Sequence, residues 1–344
     1  MFDSVFLQGF FYYPFFVTMT DMTKKILISG VKPTGRPHIG NYFGAMKQFV
    51  DLQDEYDARI FIADYHAITT VQNAEQLSRH TIDMALDYLA IGIDPAKTLL
   101  FKQSDIPEVC ELGWIFNCIT TMPFLMRAHA YKDAEAKNKE INVGIFDYPI
   151  LMAADILVQN ADVVPVGQDQ KQHVEYARDI AEKFNRTFGE TFKLPNALIY
   201  ENVKTVVGTD GQKMSKSYGN TIPLFATDEE IQKAVMGIPT NSQGVAEPKD
   251  PDTDNIFAFH KLFVDEKEIA EIEKRYREGG LGYKESKDIL IANMKRFISP
   301  LREKREEFAK DEEIIRSILK ENGKKARELA HEKMEEVRKA VGIV

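Results

Sequence analysis

Among 344 residues there are only two cysteines and one tryptophan. Cys110 and Cys118 stand eight apart in a stretch that reads as one helix, which gives neither a disulfide framework nor a zinc-ligand pattern. A reducing cytoplasm is the simplest setting. Positive charge is also scarce: 44 Lys and Arg against 53 Asp and Glu leave a net charge of −9. Such a chain does not coat nucleic acid by bulk attraction, so any nucleic-acid partner must be met by local basic patches. The Walker A order of Gly, four residues, then Gly-Lys-Ser/Thr is missing, which disfavours a P-loop nucleotide site. No internal repeat or low-complexity tract occurs.

The first 21 residues, MFDSVFLQGFFYYPFFVTMTD, hold six Phe and two Tyr but no Lys or Arg. They lack the positive start of a secretory signal, and Pro14 interrupts an apolar run already too short to span a membrane. Residues 1–21 read as an extension upstream of a working chain that starts at Met19 or Met22. An aromatic arm packed on the surface is the plainer alternative.

What is present is alternation. With 44% hydrophobic and 28% charged residues, the composition is that of a soluble globular protein, and the length suits two domains. KKILISG reads as a strand, and YFGAMKQFVDLQDEY, with Phe43, Met46, Phe49, Val50 and Gln53 at helical spacing, as a helix. ARIFIAD, KTLLFKQS, ADVVPVG, ALIY and TVV read as further strands. Between them fall the helices AEQLSRHTIDMALDYLAIGI, PILMAADILV, started by Pro149, and KQHVEYARDIAEKFNRTFG. This order predicts an α/β fold with a Rossmann-like parallel sheet, helices on both faces and ligands outside the carboxyl ends of the strands. Residues 109–146 form a charged helical insertion. Residues 22–220 make the sheet domain and residues 221–344 an all-helical C-terminal domain.

Three constellations carry chemistry. In PTGRPHIGN, Gly35 and Gly40 let backbone approach a ligand, the helix start offers N–H groups to phosphate, and His38 and Asn41 add donors. In KMSKS, two point-charge lysines with adjacent hydroxyls suit a polyphosphate whose charge moves during reaction; an exposed basic turn is the other reading. In YPILMAADILV, Tyr148, Met152 and Asp155 follow the four and three spacing of one helix face. Asp155 stands among apolar residues, so it is either paired structurally or serves as an acceptor in an apolar pocket.

Taken in order, GNYFGA, YPILMAADIL, VPVGQDQKQHVE and KMSKS resemble the class I aminoacyl-tRNA synthetases, and among them the bacterial tryptophan branch, from Lys24 to Val344. The resemblance implies that ATP and tryptophan form an adenylate, whose acyl group then passes to the terminal adenosine of tRNA(Trp). It assigns ATP to Lys32, Pro33, Thr34, His38, Gly40 and Asn41, its ribose to Gly167, Gln168 and Asp169, and its adenine to Val206. Lys213, Met214, Ser215, Lys216 and Ser217 would hold the leaving pyrophosphate, with Mg²⁺ carried by the phosphates and no metal ligand from protein side chains. His38, Asn41, Lys213 and Lys216 are the catalytic set. For the amino acid, Asp155 would accept the indole N–H, Tyr148 and Gln170 would meet the ammonium group, and His66, Met152, Val164 and Val166 would wall the ring.

The second His of the family's first motif is Asn41 here, and Ala134 stands where relatives often have a phosphate-reaching lysine. Two rivals remain: a tyrosine-specific member, expected to carry a polar residue in place of Met152, and an RNA-binding relative without catalysis. The resemblance also implies a cytoplasmic homodimer joined through residues 109–146, with no membrane association, and a helical domain that reads the anticodon. Lys295, Arg296, Arg302, Lys304 and Arg305, with Lys324, Lys325 and Arg327, are candidate tRNA backbone contacts, a solvated helix face being the other reading.

Overall fold

A computed structural model describes residues 24–128, 131–132, 141–167, 171–199 and 206–343. The 1–21 extension, the charged stretch 133–140 and residues 168–170 lie outside the described residues. Five strands form one parallel sheet: β1 (Ile26–Val31), β2 (Asp57–Ile62), β3 (Thr98–Lys102), β4 (Val163–Pro165) and β5 (Asn196–Leu198), in the order β3-β2-β1-β4-β5. β1 and β2 run in register from Ile26 beside Asp57 to Val31 beside Ile62. The strand order reverses at β1 and β4, which places the ligand crevice beyond their carboxyl ends.

The sheet is apolar on both faces because each face has its own helical cover. Ile60 and Ile62 point to one side with Leu100, and Phe61 to the other with Ile28 and Phe101, as the two-residue strand period requires. The first face packs on α1 (Ala74–Ile91); the second packs on α2 (Glu108–Ile119), α3 (Val143–Val158) and α4 (Lys171–Phe188). α1 starts where Asn73 accepts from the Gln76 N–H and stops at Gly92, in the left-handed conformation.

Beyond the sheet come α5 (Asp228–Met236), α6 (Asn255–Phe263), α7 (Glu266–Glu278), α8 (Tyr283–Ala309) and α9 (Glu312–Val341). Leu290, Met294 and Ile298 of α8 share an apolar cluster with α1, so the helical half is continuous with one face of the sheet. α9 returns to the other side: Ala326, Ala330, Met334 and Val337 join the α2–α3–α4 cluster. Asn322 donates to the Thr98 carbonyl of the edge strand β3 at 3.4 Å, and Gln159 donates to the Ala326 carbonyl at 3.0 Å.

Three local expectations change. α3 does not start at Pro149: Asn142 caps it by accepting from the Ile145 N–H at 2.9 Å, and Pro149 sits inside the helix, where its ring costs one backbone bond. Val206 and Val207 add no strand, because Val207 forms only a lone antiparallel bridge with Lys213; Thr205 lies outside the described residues. The start of the 109–146 segment is core, with Val109, Leu112 and Phe116 buried in α2.

Candidate active site

The turn after β1 enters a helix with a built-in lock. The His38 backbone N–H donates to Asn41 Oδ1 at 3.0 Å, and the Asn41 N–H donates to His38 Nδ1 at 3.3 Å. Because Nδ1 accepts, the neutral ring carries its proton on Nε2, leaving a donor on the other side. Burial, helped by the nearby Lys216 charge, holds the His38 imidazole down at about 4, so it is neutral near pH 7. The helix then passes through a π-helical turn at Tyr42–Met46, a distortion common near functional sites.

The segment after the KMSKS loop is zipped to this turn. Ile39 N–H donates to the Ile222 carbonyl at 3.0 Å, and Leu224 N–H donates to the Pro37 carbonyl at 2.9 Å. The loop crosses too: Lys216 Nζ donates to the carbonyls of Thr34 at 3.1 Å and Gly35 at 3.2 Å. Partial desolvation there draws the Lys216 ammonium below the usual lysine range, against the field of Asp87. A Cβ on Gly40 would fall 2.8 Å from His38 Nδ1 and 3.3 Å from Met214 Cβ, so this glycine lets the two motifs touch.

Within the loop, the organising side chain is Asn220. Its Oδ1 accepts from the Ser215 N–H at 2.8 Å, while its Nδ2 donates to Asp210 Oδ1 at 2.8 Å and to the Lys213 carbonyl at 3.1 Å. Asn220 is buried, yet Lys213, Lys216 and Ser217 around it are exposed. Ser215 and Ser217 hydroxyls are 2.9 Å apart. Val206 is buried beneath the loop, its carbonyl accepting from the Met214 N–H at 3.0 Å.

The other half of the site is closed. Asp155 is 4% exposed, and its Oδ2 lies 3.0 Å from His66 Nε2. Gln103, 1% exposed at the end of β3, donates to both carboxylate oxygens at 2.9 Å and accepts from the His66 backbone N–H at 3.2 Å. Burial pushes the Asp155 carboxyl up, and the bonds from His66 and Gln103 pull it back. Met152, Val164 and Val166 belong to the apolar cluster around α3. Tyr148 Oη lies 2.8 Å from His173 Nε2, and burial raises the phenol to about 12.

The residues expected from the sequence thus gather in two groups: Thr34, Gly35, His38, Gly40, Asn41 and the Lys213–Ser217 loop, and His66, Asp155 and the apolar wall. Gln168, Asp169 and Gln170 lie outside the described residues. Gln103, Asn220 and His173 were not singled out as functional. For Gln103 a signal existed, a polar residue at the carboxyl end of a strand. Several candidate tRNA contacts change role: Lys295 and Arg302 pair with Asp228, Arg296 pairs with Glu268, and Arg305 pairs with Asp83 and Asp87. These cations tie helices together, because their acidic partners come from segments remote in sequence.

Residues 21–299 match the family model described as tRNA synthetases class I (W and Y). A tryptophan–tRNA ligase of Fusobacterium nucleatum is 49% identical over 92% of this chain and 98% of its own length. The crystal structure of the Campylobacter jejuni tryptophanyl-tRNA synthetase complexed with ADP and tryptophan is 45% identical, with a TM-score of 0.87 over 92% of this chain and 99% of its own. The Mycoplasma pneumoniae synthetase, at 26% identity, has a TM-score of 0.78 over 93% of this chain and 98% of its own. With both clusters at the crevice where the strand order reverses, and with these likenesses over nearly the whole chain, the protein belongs to the class I tRNA synthetases of the tryptophan and tyrosine group, in the tryptophan–tRNA ligase family.

Proposed function

We infer that this chain attaches tryptophan to tRNA(Trp) in two steps at the crevice. The tryptophan carboxylate attacks the α-phosphorus of Mg²⁺-bound ATP, forming an O–P bond as the bond to pyrophosphate breaks. The 2′-hydroxyl of the terminal adenosine then attacks the acyl carbon, and AMP leaves. Neither step needs a covalent bond to the protein, so its work is positioning and charge stabilisation.

The observation that carries the reading is the buried Asp155 carboxylate inside an apolar wall. A carboxylate has about four acceptor positions. His66 and Gln103 make three contacts with it, which leaves room for one more donor. The indole N–H fills that place, Met152, Val164 and Val166 flank the ring, and Tyr148 with Gln170 receives the ammonium group. Phenylalanine offers no N–H and is rejected by ~10⁴-fold when the acceptor is desolvated.

For ATP, Lys32, Pro33, Thr34, Gly40 and Asn41 line the phosphates with neutral His38 as a donor. Gly167, Gln168 and Asp169 take the ribose and Val206 the adenine. Lys213 and Lys216, with Met214, Ser215 and Ser217 shaping the loop, gather around pyrophosphate as it departs. Mg²⁺ arrives on the nucleotide as part of the substrate.

Amino-acid-dependent ATP–pyrophosphate exchange tests the whole reading, with exchange expected for tryptophan and not for tyrosine or phenylalanine. Exchange driven by tyrosine would replace the substrate assignment. tRNA binding without any exchange would make the chain a non-catalytic relative. A homodimer is supported by exposed apolar side chains within residues 109–146, Trp114 at 70% and Val143 at 79%. Sedimentation as a monomer would remove that part.

A further inference from the structure

One side of α1 borders the phosphate half of the site. Asp87 on that side is buried and bound by Arg305, while Arg79 and Arg305 together hold Asp83. The charge of Asp87 is thus matched within the protein, although its field reaches Lys216 and Arg36. His80 precedes Asp83 by three positions and Asp87 by seven, so helical spacing puts it on the same side, half-buried. Its Nδ1 is enclosed and has no hydrogen-bond partner among the described residues.

The opposite edge of the ring meets the turn after β1. A Cβ placed on Gly35 would stand 3.7 Å from both Cε1 and Nε2 of His80 and 4.0 Å from Lys216 Nζ. The imidazole and the ammonium therefore border one small space over Gly35. At φ +90° this position favours glycine, so the turn sends no side chain into that space. With the ring proton on Nε2, the enclosed Nδ1 is a bare acceptor and the donor lies toward the turn. The reverse tautomer would bury an unpaired N–H, the costlier arrangement.

We propose that His80 is a further catalytic residue of the phosphate half, its Nε2–H donating to the terminal phosphate oxygens of ATP and of the pyrophosphate that leaves. This rests on the ligase reading above, in which Lys216 gathers around the same pyrophosphate. As the bond from the α-phosphorus to the bridging oxygen breaks, the electron pair stays on pyrophosphate. The hydrogen bond from His80 strengthens with the charge that builds there, and no proton is transferred. Lys216 is carried by a loop, whereas His80 stands on a helix of 18 residues. The helix gives the departing group a fixed donor beside a movable one.

The test is His80→Ala in the full chain, a substitution suited to a half-buried helix position, with His80→Gln as the conservative variant whose amide keeps a donor. In tryptophan-dependent exchange, His80→Ala should raise the KM for pyrophosphate ~10-fold and lower kcat ~10-fold, with the KM for tryptophan within ~3-fold. His80→Gln should recover most of both losses. An unchanged KM for pyrophosphate in His80→Ala overturns the proposal. A Gln variant no better than Ala, or a matching rise in the KM for tryptophan, makes His80 a packing residue and overturns it as well. Titration with Mg²⁺ and inorganic pyrophosphate alone separates the two readings. A parent that binds pyrophosphate more tightly than His80→Ala, yet runs no exchange with tryptophan, keeps this site and fails the ligase reading.

Discussion

Asp155 is buried and held by two side chains from different strand ends, whereas Lys216 is exposed and holds only two carbonyls of a segment 181 and 182 positions away. On the function proposed above, the amino-acid half of the site is a closed network, and the phosphate half is a loop latched to a turn. The contrast follows from the chemistry of each ligand. Choosing one side chain among similar ones requires a desolvated acceptor fixed before the ligand arrives, because only then is a missing donor costly. Stabilising charge that appears during bond breaking requires cations that can follow it and then release the product.

The largest expected effect comes from the closed half. Asp155→Asn should lower kcat/KM for tryptophan by about 10³-fold in pyrophosphate exchange, leave the KM for ATP within ~3-fold, and narrow the gap to phenylalanine. An equal loss in ATP affinity would show that the two halves are not separable. Next in size is the open half. Lys216→Ala should reduce kcat for adenylate formation by ~10²-fold with the KM for tryptophan within ~3-fold. A matching rise in that KM would mean the loop holds the ground state.

The smallest effect separates site from scaffold by pH. His38 in the site and fully buried His260 in α6 are both held at about 4, chiefly by burial. Their unfolded forms take up protons near pH 6.5. Between pH 6.5 and 4 the unfolded state therefore binds more protons, and stability falls on acidification. Asp87 opposes this: burial raises it to about 6, so over much of the same window the folded state keeps the extra proton. His260→Gln should remove about 3 kcal/mol of the acid-side loss in urea unfolding without moving the pH profile of exchange. A shifted exchange profile would tie His260 to the site.

Much of this was legible in the sequence, for identifiable reasons. Strands and helices declare themselves through local period, and α1, Ala74–Ile91, starts on the first residue of the helix read as AEQLSRHTIDMALDYLAIGI and stops just short of its end. The glycine-rich turn and KMSKS are also local. Gln103 and Asn220 were not legible as functional residues, because their roles exist only where segments meet: Gln103 reaches Asp155 across 52 positions. Arg305 misled for the same reason, since its partners Asp83 and Asp87 lie more than two hundred residues earlier. Pro149 misled differently, because a helix-start residue also fits inside a helix that Asn142 has already begun.

The seating of α9 on β3 bears on the order in which the chain can finish. β3 is an edge strand, and among the described residues one of its two sides has no strand partner. Its cover is made of residues beyond Glu312, which leave the ribosome about two hundred residues after the strand itself. During synthesis the sheet therefore waits with an uncovered edge, the feature most prone to pairing with a stranger. Helix α9 is thus the piece that seals the young protein, and a chain released before that helix is made leaves the edge open.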